Sequence, residues 1–263
     1  MASVNDLTRA DRGEMLNIDV LGGVCIRDKS ARHAVPGAKL RTILALLAMA
    51  DGQLVHRDEL LEELQLKNVN AIHAHITRLR KWLHATCEAA EVLITDGDGY
   101  RLNVSTAQVD ALRFIDLVES VWKSNPSSPT KQIEILEEAF SLWQGSSLFT
   151  DVNDGERVRS ASSMLQQLRF EAQETLVAAL AEAEDYRRVI VCASRFLSEN
   201  PLRECLWEQL MNALYAEGRY AEVVDSYHRV SRILADQLGI DPSPRLEAQF
   251  NRVLGGRVLT ETA

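Results

Sequence analysis

The chain has 263 residues, of which 46% are hydrophobic and 25% are charged, a composition typical of water-soluble globular proteins. This length allows one large domain or two of ordinary size. The start of the chain lacks the pattern of a secretory signal, and the longest apolar run, Ile43 to Ala50, is too short to span a bilayer. We therefore expect a cytoplasmic protein without a membrane segment, in which the four scattered cysteines are reduced.

The net charge of −9 is unevenly distributed along the chain. Up to Ser105 there are 13 Lys and Arg residues against 14 Asp and Glu residues, whereas the remainder has 16 against 24. Five of the six histidines also lie in the first part. Because DNA phosphates repel an acidic surface, the first part is suited to binding DNA through a local basic segment and the second part is not.

The N-terminal part is predicted to form a small antiparallel sheet after a disordered leader. Residues 1–14 are polar and have no hydrophobic periodicity. Leu16–Leu21 and Val24–Arg27 carry strand-type patterns on either side of a glycine turn, and Ala34-Val35 can add a short third strand.

Two helices and a later hairpin are predicted in the next part of the chain. Ala38–Ala50 is strongly apolar, and Arg57–Leu66 has acidic residues near its N-terminus, where the helix dipole favours them. Beyond Cys87, the runs Val92–Thr95 and Tyr100–Val104 flank a glycine-rich turn and predict a β-hairpin.

The segment from Asn68 to His84 is the most informative part of the sequence. Its apolar residues are spaced by three and four positions and form one stripe of a helix, which Asn68 or Asn70 can cap. The opposite side is flat near its start and basic near its end, as a helix in the DNA major groove requires. We expect base-facing positions at Asn70, Ala71, Ala74, Thr77 and Arg78. We expect phosphate contacts from the flanking residues His73, His75, Arg80 and Lys81. The alternative is an ordinary amphipathic helix with a solvated basic face.

Helix, helix, helix and hairpin in this order predict a winged helix, with the third helix as reader and the hairpin as wing. The sequence resembles the OmpR/PhoB-type winged helix at His75-Ile-Thr-Arg-Leu-Arg80 and at Gly99-Tyr-Arg101. The resemblance implies base reading by Arg78 and phosphate contacts from Lys39 and Arg41. The wing residues that it implies are Gly97, Gly99 and Arg101. The loop that it implies for contact with RNA polymerase consists of Gln65, Leu66, Lys67 and Asn68. This loop lacks the tryptophan and proline common in relatives, so whether it makes the same contacts stays open.

The wing departs from the OmpR pattern. Asp96 and Asp98 occupy its turn, and carboxylates near the minor groove repel phosphate. Entry of this wing into the minor groove therefore stays open. The role of His56, which stands where many relatives have a serine cap, also stays open.

The chain after Gln108 is predicted to be helical. Helices are expected at Val109–Trp122, Ile133–Trp143 and Glu156–Ala183. An internal repeat follows, with an offset of 34 residues, which is the tetratricopeptide period. The matching residues are Leu176, Leu180 and Tyr186 in one copy and Leu210, Leu214 and Tyr220 in the next. At least two helical hairpins are therefore expected to stack.

This second half resembles the bacterial transcriptional activator domain at Leu142-Trp143-x-Gly145, Pro201–Glu204, Gln209–Tyr215 and Leu238–Pro244. A winged helix followed by this domain resembles the SARP-type (antibiotic regulatory protein) activators. The resemblance implies binding to promoter DNA at direct repeats near the −35 element. It also implies recruitment of sigma-bearing RNA polymerase holoenzyme, control of an antibiotic gene cluster, and dimeric or side-by-side protomers on DNA.

We therefore predict a mostly α fold with a small β component. The expected domains are a winged helix at 15–106, a tetratricopeptide-like activator domain at 107–255 and a tail at 256–263. The sequence has no phosphate-binding glycine loop, nucleophile elbow or HExxH motif, so we expect neither an enzyme nor a cofactor. His73, His75 and His84 do not converge on one ligand position, so we expect no metal. The alternative function is a protein-interaction adaptor whose winged helix no longer binds DNA.

Overall fold

The structure is a computed structural model that describes residues 16–28, 31–87, 89–124, 128–145 and 148–258. The predicted leader and the end of the predicted tail lie outside these residues. Within the described part, the chain forms two compact units. The first contains the residues up to Trp122 together with Glu138–Leu168, and the second contains the remainder.

The first unit begins with the predicted antiparallel sheet. Its strands are β1 (Asn17–Asp19), β2 (Cys25–Arg27) and β3 (Arg32–Ala34), in the order β1-β2-β3. Ile26 lies opposite Ile18 on one side and His33 on the other. The third strand ends at Ala34, one residue before the predicted end.

The predicted winged helix is confirmed. It comprises α1 (Ala38–Met49), α2 (Arg57–Glu63) and α3 (Val69–Cys87). Its sheet is formed by β4 (Val55–His56), β5 (Leu93–Asp96) and β6 (Gly99–Leu102), with β6 in the centre.

The second helix of this winged helix is shorter than the sequence pattern predicts. It ends at Glu63 instead of Leu66. Gln65 has a φ of 50°, and a residue in the left-handed region cannot continue a right-handed helix.

The first unit extends beyond the winged helix into the segment that follows it. Helix α4 (Asp110–Ser124) and helix α5 (Pro129–Ser141) come next, followed by the long helix α6 (Glu156–Glu182). Phe114 of α4 is fully buried, with its ring 6.3 Å from that of Phe140 and 5.2 Å from that of Trp143. These aromatic contacts form part of the core of the first unit.

Two buried carboxylates connect these parts of the first unit. Asp110 is 5% exposed, and its two oxygens accept hydrogen bonds from the backbone N–H groups of Val20 (2.8 Å) and Leu21 (3.0 Å). Glu63 is also 5% exposed and accepts from the N–H groups of Arg157 (2.9 Å) and Val158 (3.0 Å) at the start of α6. The free N–H groups of a helix N-terminus favour such an anion.

The second unit contains helical hairpins with the predicted repeat. Helices α7 (Tyr186–Glu199), α8 (Glu204–Ala216), α9 (Tyr220–Leu238) and α10 (Pro244–Val258) follow one another, and α8 packs against α7, α9 and α10. Leu176, Leu180, Leu210 and Leu214 are all buried, as the repeat predicts. No helix in the described ranges has the length and apolar content needed to cross a bilayer.

We predict that Asp110 makes the stability of the protein pH-dependent. Burial outweighs the N–H donors of Val20, Leu21 and Ala111 and raises the pKa of Asp110 from 3.8 to about 7. Since the folded pKa is above the unfolded one, the native state holds a proton that the unfolded chain releases. The free energy of unfolding should therefore fall between about pH 4 and pH 7, by at most about 1.4 kcal/mol per pH unit from this group.

Urea denaturation across this pH range measures the effect. Asp110→Asn should show a shallower decline than the wild type. Asp116→Asn, which changes an exposed carboxylate on the same helix, is the matched control and should leave the decline unchanged. Equal slopes for the wild type and Asp110→Asn would contradict the prediction.

Candidate nucleic-acid interface

Burial of the apolar stripe fixes which side of α3 faces the solvent. Ile72, Ile76, Leu79 and Leu83 are at most 2% exposed. The opposite side is open to solvent. Of the five predicted base-facing residues, Ala71 is half-buried, and the others are exposed: Asn70, Ala74, Thr77 and Arg78. The rotation of the helix thus agrees with the one deduced from residue spacing.

A cationic cluster lies beside this exposed side. His75 is half-buried, and its pKa is lowered from 6.5 by burial and by the neighbouring charges of Lys39 and Arg78. Lys39 lies in the first turn of α1 and is half-buried. His73 and Lys81, two further predicted phosphate contacts, are exposed on α3. Together these groups form a surface suited to an anionic ligand.

The structure gives Arg80 a role within the protein. Its Nε and Nη2 atoms donate to the carbonyl oxygen of Leu93 at 3.0 and 2.8 Å, and Nη2 also donates to the Thr95 hydroxyl at 2.8 Å. Arg80 therefore holds strand β5 of the wing against the reading helix. The sequence predicted a phosphate contact for this residue and did not predict the bonds to the wing.

Arg41 is also engaged inside the first unit. Its guanidinium donates to the carbonyl oxygens of Asp151 (2.6 Å) and Val35 (2.9 Å), and it forms an ion pair with the Asp151 carboxylate at 3.1 Å. Only 21% of its side chain is exposed. Of the two cations predicted on α1, Lys39 is therefore the one near the exposed face of α3.

The loop before α3 contains the residues that were expected to contact polymerase. Gln65, Lys67 and Asn68 are exposed, and Leu66 is half-buried. The Asn68 side chain accepts a hydrogen bond from the Ala71 N–H at 3.1 Å. Of the two possible caps for α3, the structure thus selects Asn68.

The two carboxylates of the wing both have side-chain partners. Asp96 pairs with Arg101 at 3.2 Å, and Asp98 lies 3.1 Å from the His56 ring nitrogen. Arg57, the next residue, donates to the Gly97 carbonyl oxygen at 2.7 Å. These contacts hold the turn of the wing on the strand before α2.

Glycine is required at one position of the wing. A Cβ atom at Gly99 would lie 2.4 Å from the Val55 carbonyl oxygen, so no larger residue fits where β6 passes β4. Gly97, with a φ of 52°, sits in the turn itself. Glycine is thus favoured at both predicted wing positions for steric reasons.

Some residues that shape this interface were missed by sequence reasoning. Glu63 looks like an ordinary surface acid in the sequence, yet its carboxylate caps α6. The available signal was its place three residues after Leu60 and beside Leu64, which are both buried. His56 and Arg57 gave no comparable signal, because their partners lie about 40 residues away.

Comparisons with known proteins agree with this architecture. The bacterial transcriptional activator domain matches residues 109–254, and the C-terminal domain of transcriptional regulatory proteins matches residues 35–102. The chain is 32% identical over 250 residues to the transcriptional regulator RedD of Streptomyces coelicolor, covering 92% of this chain and 71% of RedD. It is 27% identical over 247 residues to the transcriptional regulatory protein MoaR1 of Mycobacterium tuberculosis, covering 91% and 79% of the two chains.

A solved structure is also similar to the chain. This is Mycobacterium tuberculosis EmbR in complex with a low-affinity phosphopeptide, with a TM-score of 0.81 and 27% sequence identity. The match covers 92% of this chain and 65% of the EmbR chain.

A winged helix with an exposed, cationic third helix, followed by stacked helical hairpins, defines a class of winged-helix transcriptional regulators. Within that class, the chain belongs to the SARP family, whose members join an OmpR-like domain to a bacterial transcriptional activator domain.

Proposed function

We propose that this protein is a sequence-specific transcriptional activator that binds direct repeats near the −35 element of a promoter. It recruits sigma-bearing RNA polymerase to genes of secondary metabolism. The observation that carries the proposal is the exposed side of α3, where small residues and Arg78 face solvent while the apolar stripe is buried.

The reading surface combines two kinds of contact. Arg78 can form two hydrogen bonds with a guanine edge in the major groove, and Ala74 lets the helix approach closely. The Thr77 hydroxyl already donates to the His73 carbonyl oxygen at 2.8 Å, so its methyl group is the part suited to a thymine methyl. Base contacts of this kind supply the choice of sequence.

Phosphate contacts supply affinity and register. Lys39, His73, His75 and Lys81 are the residues that we assign to the phosphate backbone of DNA. Arg80 and Arg41 act by positioning the wing and α1, since their guanidinium groups bind protein oxygens.

The assembly on DNA follows from the geometry of direct repeats. Head-to-tail repeats call for side-by-side protomers in the same orientation, unlike the two-fold pairing that a palindrome requires. In this proposal, the Gln65–Asn68 loop contacts polymerase from such an array.

The wing no longer argues strongly for the adaptor alternative. The Asp96 carboxylate repels phosphate less because it is paired with Arg101. The adaptor would be favoured if the protein bound a protein partner stably and its binding to DNA were absent or independent of salt.

The first test is fluorescence anisotropy of the purified protein on promoter fragments from its own gene neighbourhood, with a random duplex as control. We expect tight, repeat-dependent binding. The logarithm of the association constant should fall linearly with the logarithm of the salt concentration. Equal, weak binding to every duplex would contradict sequence-specific regulation.

We predict that Arg78→Ala weakens binding to the specific site by about 1–3 kcal/mol and flattens the discrimination between sites. The reason is loss of a guanine contact that random DNA does not provide. Arg187→Ala, at an arginine that is 89% exposed in the second unit, is the matched control and should bind like the wild type. An equal loss on specific and random DNA would remove Arg78 from the base-reading set.

We predict that Lys81→Ala weakens binding to all sequences to a similar extent and lowers the salt slope by about one. This lysine is exposed one turn beyond the base-facing positions, where it can neutralise one phosphate. The salt series measures the slope directly. An unchanged slope would exclude a phosphate contact at this position.

We predict that DNA binding is linked to protonation of His75. Burial and the cations Lys39 and Arg78 lower its pKa in the free protein, whereas a nearby phosphate favours the charged ring and raises the pKa in the complex. Affinity should therefore rise as pH falls through the interval between the two pKa values.

Anisotropy titrations at pH values from about 8 to 6 measure this linkage. His75→Gln should have a weaker pH dependence than the wild type. His228→Gln, in the second unit, is the control and should keep the wild-type dependence. Parallel pH profiles for the wild type and His75→Gln would contradict the assignment.

A further inference from the structure

Three side chains with metal-binding atoms meet at the end of the reading helix. Asp28 follows β2, His33 lies in β3, and Cys87 is the last residue of α3. One ligand atom from each lies within 4.8 Å of the other two, and all three residues are half-buried. Asp28 Oδ2 and His33 Nε2 are 2.9 Å apart.

The backbone around Asp28 orients its carboxylate. The Asp28 N–H donates to the Ala31 carbonyl oxygen at 3.1 Å, and Asp28 Oδ1 accepts from the Ala31 N–H at 2.9 Å. One carboxylate oxygen thus accepts from the Ala31 backbone, while Oδ2 lies 2.9 Å from His33 Nε2. The pairing of β2 with β3 holds His33 on the same hairpin.

We propose that Asp28, His33 and Cys87 form a zinc-binding site that joins the β2–β3 hairpin to the C-terminal end of α3. Sulfur, ring nitrogen and carboxylate oxygen are the three donor types that zinc takes in proteins, at about 2.0–2.3 Å. Mg²⁺ and Ca²⁺ prefer oxygen ligands alone and do not suit a thiolate.

Binding replaces protons by the metal. The Cys87 thiol releases its proton to solvent and coordinates as a thiolate, and the neutral His33 ring coordinates through a nitrogen lone pair. If the neutral His33 ring carries its proton on Nε2, that proton passes to solvent and Nδ1 takes one up, so the ring stays neutral while Nε2 binds the ion beside Asp28 Oδ2. Three protein ligands leave one position of a tetrahedral zinc for water or another small ligand.

The proposed site departs from the expectation that the chain holds no metal. That expectation used the spacing of residues along the sequence, and Cys87 lies more than 50 residues from His33. The two meet because the N-terminal sheet and the end of α3 are packed in one unit. A zinc ion here would restrain the end of the helix whose exposed side we assign to DNA.

Metal titration tests the site on the full-length protein. Chelator-treated protein should bind one Zn²⁺ per chain in competition with a chromophoric chelator. With Co²⁺ as a probe, the wild type should show a thiolate-to-cobalt charge-transfer absorption. Cys87→Ser should lose that absorption, and both Cys87→Ser and His33→Gln should bind zinc at least about tenfold more weakly.

Two control variants change a cysteine and a histidine outside the proposed site and leave its three ligands intact. Cys205→Ser changes an exposed cysteine of the second unit, and His84→Gln changes an exposed histidine one turn before Cys87. Both should bind zinc and cobalt like the wild type. Equal weakening in these controls, or wild-type zinc binding in Cys87→Ser, would overturn the proposal.

Thermal unfolding separates a metal site from a structural contact. Excess zinc should raise the Tm of the wild type by about 5 °C and leave the Tm of Cys87→Ser unchanged. If Cys87→Ser does not fold, the cobalt spectrum of the wild type alone tests the proposal. Absence of the thiolate-to-cobalt band from that spectrum would overturn it. None of these measurements uses DNA, so their outcome is independent of the proposed regulatory function.

Discussion

Burial of one apolar stripe on α3 is the constraint on which the interface depends. Ile72, Ile76, Leu79 and Leu83 leave almost no surface in water, and removing side chains of this size from a core typically costs about 2–5 kcal/mol each. Rotating the helix would expose the whole stripe at once. The same burial therefore keeps Arg78 and its small neighbours directed at solvent.

The first unit is also held together by two buried carboxylates that lie outside the apolar stripe of α3. Asp110 bonds the backbone beside β1, and Glu63 bonds the start of α6. A Cβ atom at Gly155 would lie 2.1 Å from the Glu63 carboxylate, so a larger residue here would displace that carboxylate. Since an unpaired buried carboxylate is costly, each of these acids ties its own helix to a second segment of the chain.

The wing shows how local charges change meaning in the folded protein. Read along the sequence, Asp96 and Asp98 make the hairpin look acidic and unsuited to DNA. In the structure Asp96 pairs with Arg101, Asp98 lies beside the His56 ring, and Arg80 from the reading helix donates to Thr95 of β5. The orientation of the wing is thus coupled to the helix that we assign to base reading.

The sequence by itself determined the elements whose signals are local. The three-and-four spacing predicted α3 and its exposed side, the glycine turn predicted the wing hairpin, and the offset of 34 predicted the stacked hairpins. The tertiary structure decided which polar groups are used inside the protein: Arg41, Arg80 and Glu63 bind distant backbone atoms. It also decided that Asp28, His33 and Cys87 meet. Hydrophobic periodicity can be read within a single helix or strand. The partner of a hydrogen bond or a metal ligand depends instead on how elements far apart in the chain pack together.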